Sequence, residues 1–395
     1  MEEASLQDHM EDRLIDLSGI PSQVIKQNDL EFLLDDEYIV PEGIFLYQEE
    51  VDAFQKATDT VYDMFNEELA SLIEKRDFDS LHLPSEMIDL IIHSYDKGHM
   101  HVLGRFDFSG GINNLPIKLL EFNADMPTLL PESMTIQTGF NRILGGEPYL
   151  DLQRRLEIAF RRLPVSKAGE KNIMLGSTLG HKEDKANMDI LLNIASKVGI
   201  ETFYADLPKV EFAPNEGVFL ETEDGTYIQF DYFLKLVPWE FICFEERDLL
   251  LDLHNLILRD LITVINPAYT MVFQSKAFLV RLAQKYPSDY FLKTSFSESD
   301  MKYKKYVRKA DFGRLGQSIS VHATGGRIIE QSDGDLDMSN CIYQEFAELY
   351  KDNDGEYYQP GLYTVMGRSA GLSFRRADKL IVDNDCQFIP HMVKK

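Results

Sequence analysis

The chain has few cysteines. Cys243, Cys341 and Cys386 are the only three in 395 residues, and they lie far apart. A disulfide framework or a zinc site needs more cysteines at closer spacing, so the sequence favours neither. We expect three reduced thiols in the core or on the surface.

The first residues do not have the pattern of a signal peptide, and the sequence has no long hydrophobic run. It starts MEEASLQDHMEDRLIDLSGI, which is acidic where a signal peptide is basic and then apolar. The longest hydrophobic stretch covers residues 248–265 and is interrupted by Asp252, His254, Arg259 and Asp260. This pattern is typical of an amphipathic helix rather than a membrane span. These absences predict a cytoplasmic protein with no membrane partner.

Basic residues are scarce relative to acidic ones. The chain has 40 Lys and Arg against 66 Asp and Glu, and its formal charge is -26. Nucleic acids and anionic membranes bind basic surfaces, so neither is an expected partner. The charge favours a cationic ligand such as an amine, although acidity can serve solubility alone.

The chain has enough apolar residues to form a sizeable core. The hydrophobic share of 44% over 395 residues predicts two or three intimately joined lobes. Apolar residues at steps of three and four predict a long helix over residues 47–76, and a second long helix is expected from about Phe244 to Leu261. Residues 1–40 show no strong period and predict a helix with a loose tail.

Residues 102–125, VLGRFDFSGGINNLPIKLLEFNAD, predict a β-hairpin. Its loop, SGGINNLP, is rich in turn residues. An antiparallel register with Asp107 opposite Glu121 also pairs Arg105 with Asn123, Phe106 with Phe122 and Phe108 with Leu120. One face of the hairpin is then apolar and the other polar.

The polar face groups residues that suit metal and phosphate chemistry. Strand side chains alternate, so Arg105, Asp107, Glu121 and Asn123 share one side, with Asp125 at its end. Their hard oxygens suit Mg²⁺, and a guanidinium beside them could hold a phosphoryl group. The same pattern also suits a solvated face whose arginine pairs with its acidic neighbours. We expect this face to be largely exposed.

Two segments predict ligand contacts near the starts of helices. A helix is expected to begin near Pro131 with Glu132 in its first turn, where a substrate carboxylate could bind. Further on, residues 172–178 predict a strand, about 184–198 a helix and 201–207 a second strand, which together indicate a parallel α/β unit. Glu183 and Asp184 then fall in the loop after the first strand, a usual place for ligand contacts.

Lysines and glycines in the last third of the chain predict phosphate contacts. Lys276 is expected in the first turn of a helix capped by Ser275, where a cation opposes the helix dipole and so suggests another role. Residues 306–323 predict a strand ending at Lys309, a glycine-rich loop around Arg314 and a second strand. Such loops can approach phosphates, but this one does not match a Walker loop, and an ordinary hairpin fits as well.

Several separated motifs together resemble one family. RFDF, LLEFNADMPT, PWE, QSKAFL, VRKADFGRLGQSIS and IYQEFAEL match in type, order and spacing the synthetase domain of the glutathionylspermidine synthetase family, over about residues 40–392. The resemblance implies an α/β (α+β) ATP-grasp fold that binds nucleotide between two sheets. It also implies an acidic N-terminal extension over 1–40 and a synthetase domain over 41–395, with lobes at about 41–265 and 266–392.

The resemblance also implies residue roles. Arg105 is similar to the family's transition-state arginine and Arg314 to its loop arginine, and the magnesium ligands would be Asp107, Glu121 and Asn123. The residues that would contact the nucleotide are Arg105, Lys276, Lys309, Gln344, Glu345, Phe346 and Ala347, together with Leu380, Ile381 and Val382 of a final strand. The substrates would contact Met126, Thr128, Glu183, Asp184 and Arg375.

The chain departs from the family pattern after the NAD triplet. The family commonly has small hydroxyl residues there, whereas this chain has Met126, Pro127 and Thr128. We therefore expect an acid substrate other than, or broader than, glutathione.

The resulting hypothesis is an ATP- and magnesium-dependent acid–amine ligase. It would form an amide through an acyl phosphate, joining a peptide-like carboxylate to a polyamine or another amine. The alternatives are a non-catalytic ATP-binding protein of the same fold and an amino-acid or peptide ligase that uses no polyamine.

Overall fold

The computed structural model describes residues 13–27, 30, 33, 38–165, 172–314, 316–336, 338–383 and 385–394. Much of the predicted N-terminal extension lies outside these ranges. The helices are α1 (Ile20–Gln27), α2 (Gln48–Lys75), α3 (Ser85–Asp96), α4 (Gln137–Leu144), α5 (Leu152–Arg161), α6 (Lys182–Lys197), α7 (Trp239–Phe244), α8 (Arg247–Leu258), α9 (Thr270–Gln274) and α10 (Lys276–Lys285). A π-helix covers Pro131–Ile136, and short 3₁₀ turns cover Asp79–Leu81, Leu207–Lys209 and Glu298–Met301.

The strands build five sheets. They are β1 (Leu14–Asp16), β2 (Glu42–Tyr47), β3 (Leu103–Ser109), β4 (Lys118–Asn123), β5 (Ile173–Thr178), β6 (Glu201–Asp206), β7 (Glu211–Ala213), β8 (Gly217–Glu221), β9 (Tyr227–Gln229), β10 (Tyr232–Lys235), β11 (Thr263–Ile265), β12 (Thr294–Ser295), β13 (Tyr306–Ala310), β14 (Ser320–His322), β15 (Ile328–Gln331), β16 (Cys341–Glu345), β17 (Tyr350–Lys351), β18 (Tyr357–Val365), β19 (Arg368–Ala377), β20 (Gln387–Ile389) and β21 (His391–Lys394). Two of the sheets are small, with orders β1-β2-β21 and β7-β8-β9.

The central sheet is antiparallel and has six strands. Its order is β20-β19-β18-β3-β4, and β17 pairs with β18. Strands β3 and β4 come before residue 265 and the others come after it. The two proposed lobes therefore share one sheet, and their boundary remains a prediction.

The predicted hairpin is formed by β3 and β4. Its register confirms three of the four predicted pairs, namely Arg105 with Asn123, Phe106 with Phe122 and Asp107 with Glu121. The fourth is wrong, because a bulge after Asp107 pairs Phe108 with Leu119. Leu120 is left to line a cavity instead.

The apolar face of the hairpin forms part of the core under the central sheet. The rings of Phe106 and Phe122 stack with centroids 3.7 Å apart, and Phe65 of α2 packs edge-on against both. Helix α2 confirms the helix predicted over residues 47–76. Its fully buried side chains recur at steps of three and four, which is why the helix lies flat against the sheet.

A four-stranded parallel sheet has the order β11-β10-β5-β6. Its β5-α6-β6 unit confirms the predicted strand, helix and parallel strand. However, α6 begins at Lys182, so Glu183 and Asp184 lie in its first turn and the predicted loop position is wrong. Acidic side chains stabilise the positive start of a helix, which explains why the helix includes them.

A five-stranded antiparallel sheet has the order β12-β16-β13-β14-β15. Its β13 and β14 are the two strands predicted around the glycine-rich loop. The helix expected from about Phe244 to Leu261 is confirmed as α8, which is shorter and begins at Arg247. Glu246 leaves the helical backbone region and separates it from α7, which the sequence did not predict. No helix in the described ranges is both long and apolar enough to cross a membrane.

Candidate functional site

A cavity of about 940 Å³ lies between the central sheet and the five-stranded sheet. Lys276 lies just behind its wall, and every other residue with a predicted role lines it. These lining residues are Arg105, Asp107, Glu121, Asn123, Met126, Thr128, Glu183, Asp184, Lys309, Arg314, Gln344, Glu345, Phe346, Ala347, Arg375, Leu380, Ile381 and Val382. The fold thus gathers the predicted residues into one space, while their individual roles stay predictions.

Asp107 is the centre of the polar face. Its carboxylate accepts hydrogen bonds from Arg105 Nε at 2.8 Å and Nη2 at 3.2 Å, from Asn123 Nδ2 at 3.1 Å and from Arg375 Nη2 at 2.8 Å. The residue is 1% exposed, so the expectation of a largely exposed face is wrong. The reason is tertiary, since the five-stranded sheet lies over this face.

Arg105 is held at both ends of its guanidinium. Besides its two bonds to Asp107, its Nη1 donates to the carbonyl oxygen of Thr128 at 3.2 Å. Burial disfavours the charge, but Asp107 outweighs this and raises the pKa of Arg105. Arg105 therefore stays cationic and joins β3 to the segment that follows β4.

Gly361 makes room for the Arg105 side chain. It lies opposite Asp107 on β18, and a Cβ there would lie 2.9 Å from Ser373 Oγ and 3.0 Å from Arg105 Cδ. Such contacts are tighter than carbon atoms normally allow. The glycine is thus needed for the close passage of the arginine over its neighbouring strand.

Two lysines flank Glu121. Lys276 begins α10, and its Nζ lies 3.3 Å from Glu121 Oε2 and donates to the carbonyl of Gly313 at 2.9 Å. Lys309 Nζ donates to Gln344 Oε1 at 3.0 Å and to the carbonyl of Leu120 at 3.3 Å. Burial opposes the charge of Glu121, but Lys276 and Lys309 outweigh it and lower its pKa to about 2.

The lysines also repel each other. Burial lowers the pKa of Lys309 to about 8, and the charge of Lys276 adds to this effect while Glu121 opposes it. A further anion beside the two lysines would relieve that repulsion. We call Arg105, Lys276, Lys309 and Arg375 the cationic end of the cavity, and it suits phosphate groups.

The oxygen atoms at this end fit a magnesium ion. In the part of the chain that the structure describes, no three His, Cys, Asp or Glu residues form a metal-binding group. An ion here would rest on Asp107, Glu121 and the amide oxygen of Asn123, completed by water and phosphate, which magnesium tolerates. Glu121 and Asn123 fit with less rearrangement, because Asp107 already accepts four hydrogen bonds.

The glycine-rich loop is fastened to both sides of the cavity. Asp311 accepts hydrogen bonds from Ser275 Oγ at 2.7 Å and from the backbone N–H of Ala277 at 2.9 Å, which ties the loop to the start of α10. Arg314 Nε lies 2.5 Å from Glu240 Oε1. The sequence missed Glu240, although the PWE motif contains it.

The two segments that were predicted to contact the nucleotide both line the cavity. In residues 344–347, the N–H groups of Glu345 and Phe346 donate to the carbonyls of Lys293 and Lys305, so they are already used. Residues 380–382 are not the predicted strand. The N–H groups of Leu380 and Ile381 instead donate to the carboxylate of Glu330, which holds this stretch as a loop against the cavity.

Another part of the cavity wall is acidic. Glu132, Glu183 and Asp184 line it, and we call these three residues the acidic end. Asn187 of α6 accepts a hydrogen bond from the N–H of Leu130 at 2.9 Å, which fixes the start of α6 against the segment after β4. Burial raises the pKa of Asp184.

The segment from Met126 to Leu130 has an unusual backbone. Met126 and Leu129 have φ of 58° and 72°, in the left-handed region that non-glycine residues rarely adopt. Tyr363 Oη holds the turn by hydrogen bonds of 3.1 Å to the carbonyls of Thr128 and Leu129. Met126 is 2% exposed, so it offers a ligand only a small surface.

A buried ion pair supports Asp125, which also lines the cavity. Lys235 Nζ lies 2.8 Å and 3.0 Å from its carboxylate oxygens, and the N–H of Trp239 donates to it at 2.7 Å. Burial lowers the pKa of Lys235 and raises that of Asp125, while each charge opposes the shift of the other. A lone lysine in the apolar strand DYFLKLV was the signal that sequence reasoning overlooked.

Two sheets that face each other across one charged cavity define an ATP-grasp-type protein. The sequence profile described as glutathionylspermidine synthase preATP-grasp matches residues 20–394. The chain belongs to that family.

Two curated relatives are similar over most of this chain. A provisionally named acid–amine ligase of Haemophilus influenzae is 25% identical over 359 residues, covering 87% of each chain. A trypanothione synthetase of Crithidia fasciculata is 24% identical over 360 residues, covering 85% of this chain and 54% of the relative. This chain therefore spans about half the length of the second relative.

A solved structure shares the fold. The apo form of a glutathione synthetase-like effector of Globodera pallida has a TM-score of 0.50 at 9% identity, covering 96% of this chain and 98% of that one. At such low identity the likeness concerns the fold alone.

Proposed function

We propose that this protein is an ATP- and magnesium-dependent acid–amine ligase that forms an amide through an acyl phosphate. The observation that carries the proposal is the polarity of one cavity, whose cationic end and acidic end open into the same space. Polyphosphate and a carboxylate suit the first end, and a protonated amine suits the second. Family membership and the names of the two curated relatives support the same reaction class.

In this proposal the cationic end performs the activation step. Lys276 and Lys309 would hold ATP phosphates, and Arg375, with one hydrogen bond to Asp107 and a place on the cavity wall, would reach the acid substrate. A magnesium ion on Asp107, Glu121 and Asn123 would neutralise charge on the transferring phosphoryl group. Arg105 would stabilise the same charge and fix Asp107.

For the substrates, we propose a polyamine or similarly cationic amine and a peptide-like acid. The amine assignment rests on the formal charge of -26 and on Glu183 and Asp184 beside each other at the acidic end. The acid assignment rests on Met126, an apolar and adaptable side chain where the family commonly has a hydroxyl. The alternative is an amino-acid or peptide ligase that uses no polyamine.

The test is ADP release with a panel of acids and amines. Di- and tripeptides, glutathione included, are each combined with spermidine, putrescine, neutral amines and amino acids. ADP release that requires both a peptide and a polyamine supports the proposal. Preference for amino acids as amines would favour the amino-acid or peptide ligase, and ATP binding without ADP release from any pair would favour a non-catalytic protein.

A further inference from the structure

Glu132 has a carboxylate oxygen with no hydrogen-bond partner. The residue is 6% exposed, it lines the acidic end, and its Oε2 is buried without a partner in the described part of the chain. Its other oxygen accepts a hydrogen bond from Tyr38 Oη at 2.8 Å. Leaving a buried carboxylate oxygen unpaired costs free energy, so a partner that arrives with the substrate is the simplest explanation.

The backbone around Glu132 is equally unusual. It lies in the π-helix Pro131–Ile136, which follows the two left-handed residues Met126 and Leu129. Isolated π-helical turns and strained backbone angles concentrate at functional sites. Ser133 Oγ lies 3.0 Å from Tyr363 Oη, which anchors the turn and limits where the Glu132 side chain can point.

The surrounding charges make Glu132 a suitable proton acceptor. Burial raises its pKa, and this effect outweighs the hydrogen bonds from its own backbone N–H and from Tyr38, which lower it; Glu183 raises the pKa and Arg105 lowers it. Among the residues described, Tyr363 also interacts with the charge of Glu132, and Arg375 and Cys386 act on Tyr38. A carboxylate whose pKa lies above its usual range is a stronger base than an exposed one.

From this geometry we infer that Glu132 is the general base that deprotonates the attacking amine. The inference rests on the proposed function. An alkylammonium ion gives one proton to Glu132 Oε2, and the freed nitrogen lone pair attacks the acyl carbon of the acyl phosphate. The bond from that carbon to the phosphate oxygen then breaks, inorganic phosphate leaves with its electrons, and it takes the second amine proton.

Hydroxylamine as the nucleophile distinguishes a role of Glu132 as a base from a role in acyl phosphate formation or in folding. It is uncharged at neutral pH and therefore needs no base before it attacks an acyl phosphate, whereas an alkylamine does. The experiment compares hydroxamate formation with amide formation from spermidine, or from the best alkylamine of the panel above, in the full-length protein. Glu132→Gln is the test variant, and Glu74→Gln, at an exposed site on α2, is the matched control.

We expect Glu132→Gln to lose about 10²- to 10⁴-fold in the alkylamine rate, the usual contribution of a general base. Hydroxamate formation and acid-dependent ADP release should remain at the wild-type level. Equal losses with both nucleophiles, or no loss with the alkylamine, would overturn the inference. Absence of hydroxamate and ADP in the wild type would instead refute the proposed function itself.

Tyr38→Phe keeps the inference testable if Glu132→Gln does not fold. Removing the phenol removes a hydrogen bond that lowers the pKa of Glu132, so that pKa should rise further. The alkylamine rate, which falls as pH drops through the pKa of the base, should then begin to fall at a higher pH than in the wild type. The pH dependence of the hydroxylamine rate should be the same as in the wild type. If the pH dependence of the alkylamine rate were also unchanged, the inference would be contradicted.

Discussion

The two ends of the cavity are built in different ways. At the cationic end the side chains come mostly from strands, and their charges meet partners within the protein, as Arg105 and Arg375 meet Asp107 and Lys276 meets Glu121. At the acidic end the side chains come from a π-helix and the first turn of α6. There Glu183 and Asp184 have no ion-pair partner among the residues described, and Glu132 has an unpaired oxygen.

The charges at the cationic end are therefore paired within the protein, whereas the acidic end has carboxylate oxygens available to a ligand. Removing one partner of a buried charge pair leaves the other charge uncompensated, which destabilises the protein. An unpaired acid can instead pair with a cation that binds. Substitutions should therefore affect stability at the first end and substrate choice at the second.

The largest effect is expected for Asp107→Ala. It leaves the buried guanidinium group of Arg105 and the partly buried one of Arg375 without their carboxylate, which should lower the free energy of unfolding by about 3–5 kcal/mol. Glu183→Ala at the acidic end should cost less than about 1 kcal/mol, because the residue is exposed and contributes only through the helix dipole. Urea unfolding measures both, and equal losses would remove the contrast between the two ends.

Glu121→Gln tests the metal assignment with less damage to the fold. It keeps the shape of the side chain, one quarter of which is exposed, but removes the charge that would bind magnesium. We expect ATP turnover to fall about 10²-fold, the usual effect of losing one preorganised electrostatic group. The free energy of unfolding should also fall, because Lys276 and Lys309 lose the carboxylate between them. Unchanged magnesium-dependent ATP consumption would end the assignment.

Lys309→Ala and Lys276→Ala should each weaken ATP binding by about 1.5–3 kcal/mol, the range for a charged hydrogen bond. The physical reason is the loss of a cation that would meet phosphate at the cationic end. Titration calorimetry gives the affinities, and Lys302→Ala, at an exposed lysine, is the matched control. Wild-type affinity in both variants would support the view that the two lysines serve structure only.

Gly361→Ala should displace Arg105 without displacing the other cations of the cationic end. The added methyl group would meet Ser373 and Arg105, and overpacking of this kind costs about 1–3 kcal/mol. We expect a loss of turnover that exceeds the loss of ATP affinity, because Lys276 and Lys309 are not displaced. The double variant with Ser373→Gly should recover little activity, since it leaves the contact with Arg105; full recovery would show that Ser373 was the obstacle.

The smallest effect is expected for Met126→Ser. A restored hydroxyl should shift the preference between glutathione and apolar peptides by about 1 kcal/mol, the net value of one hydrogen bond. The shift is small because Met126 is 2% exposed. ADP release with paired peptides measures it. If wild type already prefers glutathione by a wide margin, the argument from Met126 is wrong.

The sequence by itself determined the local structure of the cationic end. A period of two along RFDF and LLEFN, with turn residues between them, placed Arg105, Asp107, Glu121 and Asn123 on one face, and the register confirmed these pairs. Periodicity likewise predicted α2 and the β5-α6-β6 unit. The family resemblance then added residues distant in sequence, such as Lys276, which no local pattern connects to Glu121.

Only the tertiary structure decided what covers and completes that face. The bulge after Asp107, the burial of its carboxylate and the loop at residues 380–382 depend on contacts between strands far apart in the chain. The acidic end depends on them even more, because Tyr38 meets Glu132 and Asn187 meets Leu130 across long separations. A repeating pattern encodes which face a side chain takes, but hydrogen-bond partners and burial arise only when distant segments pack together.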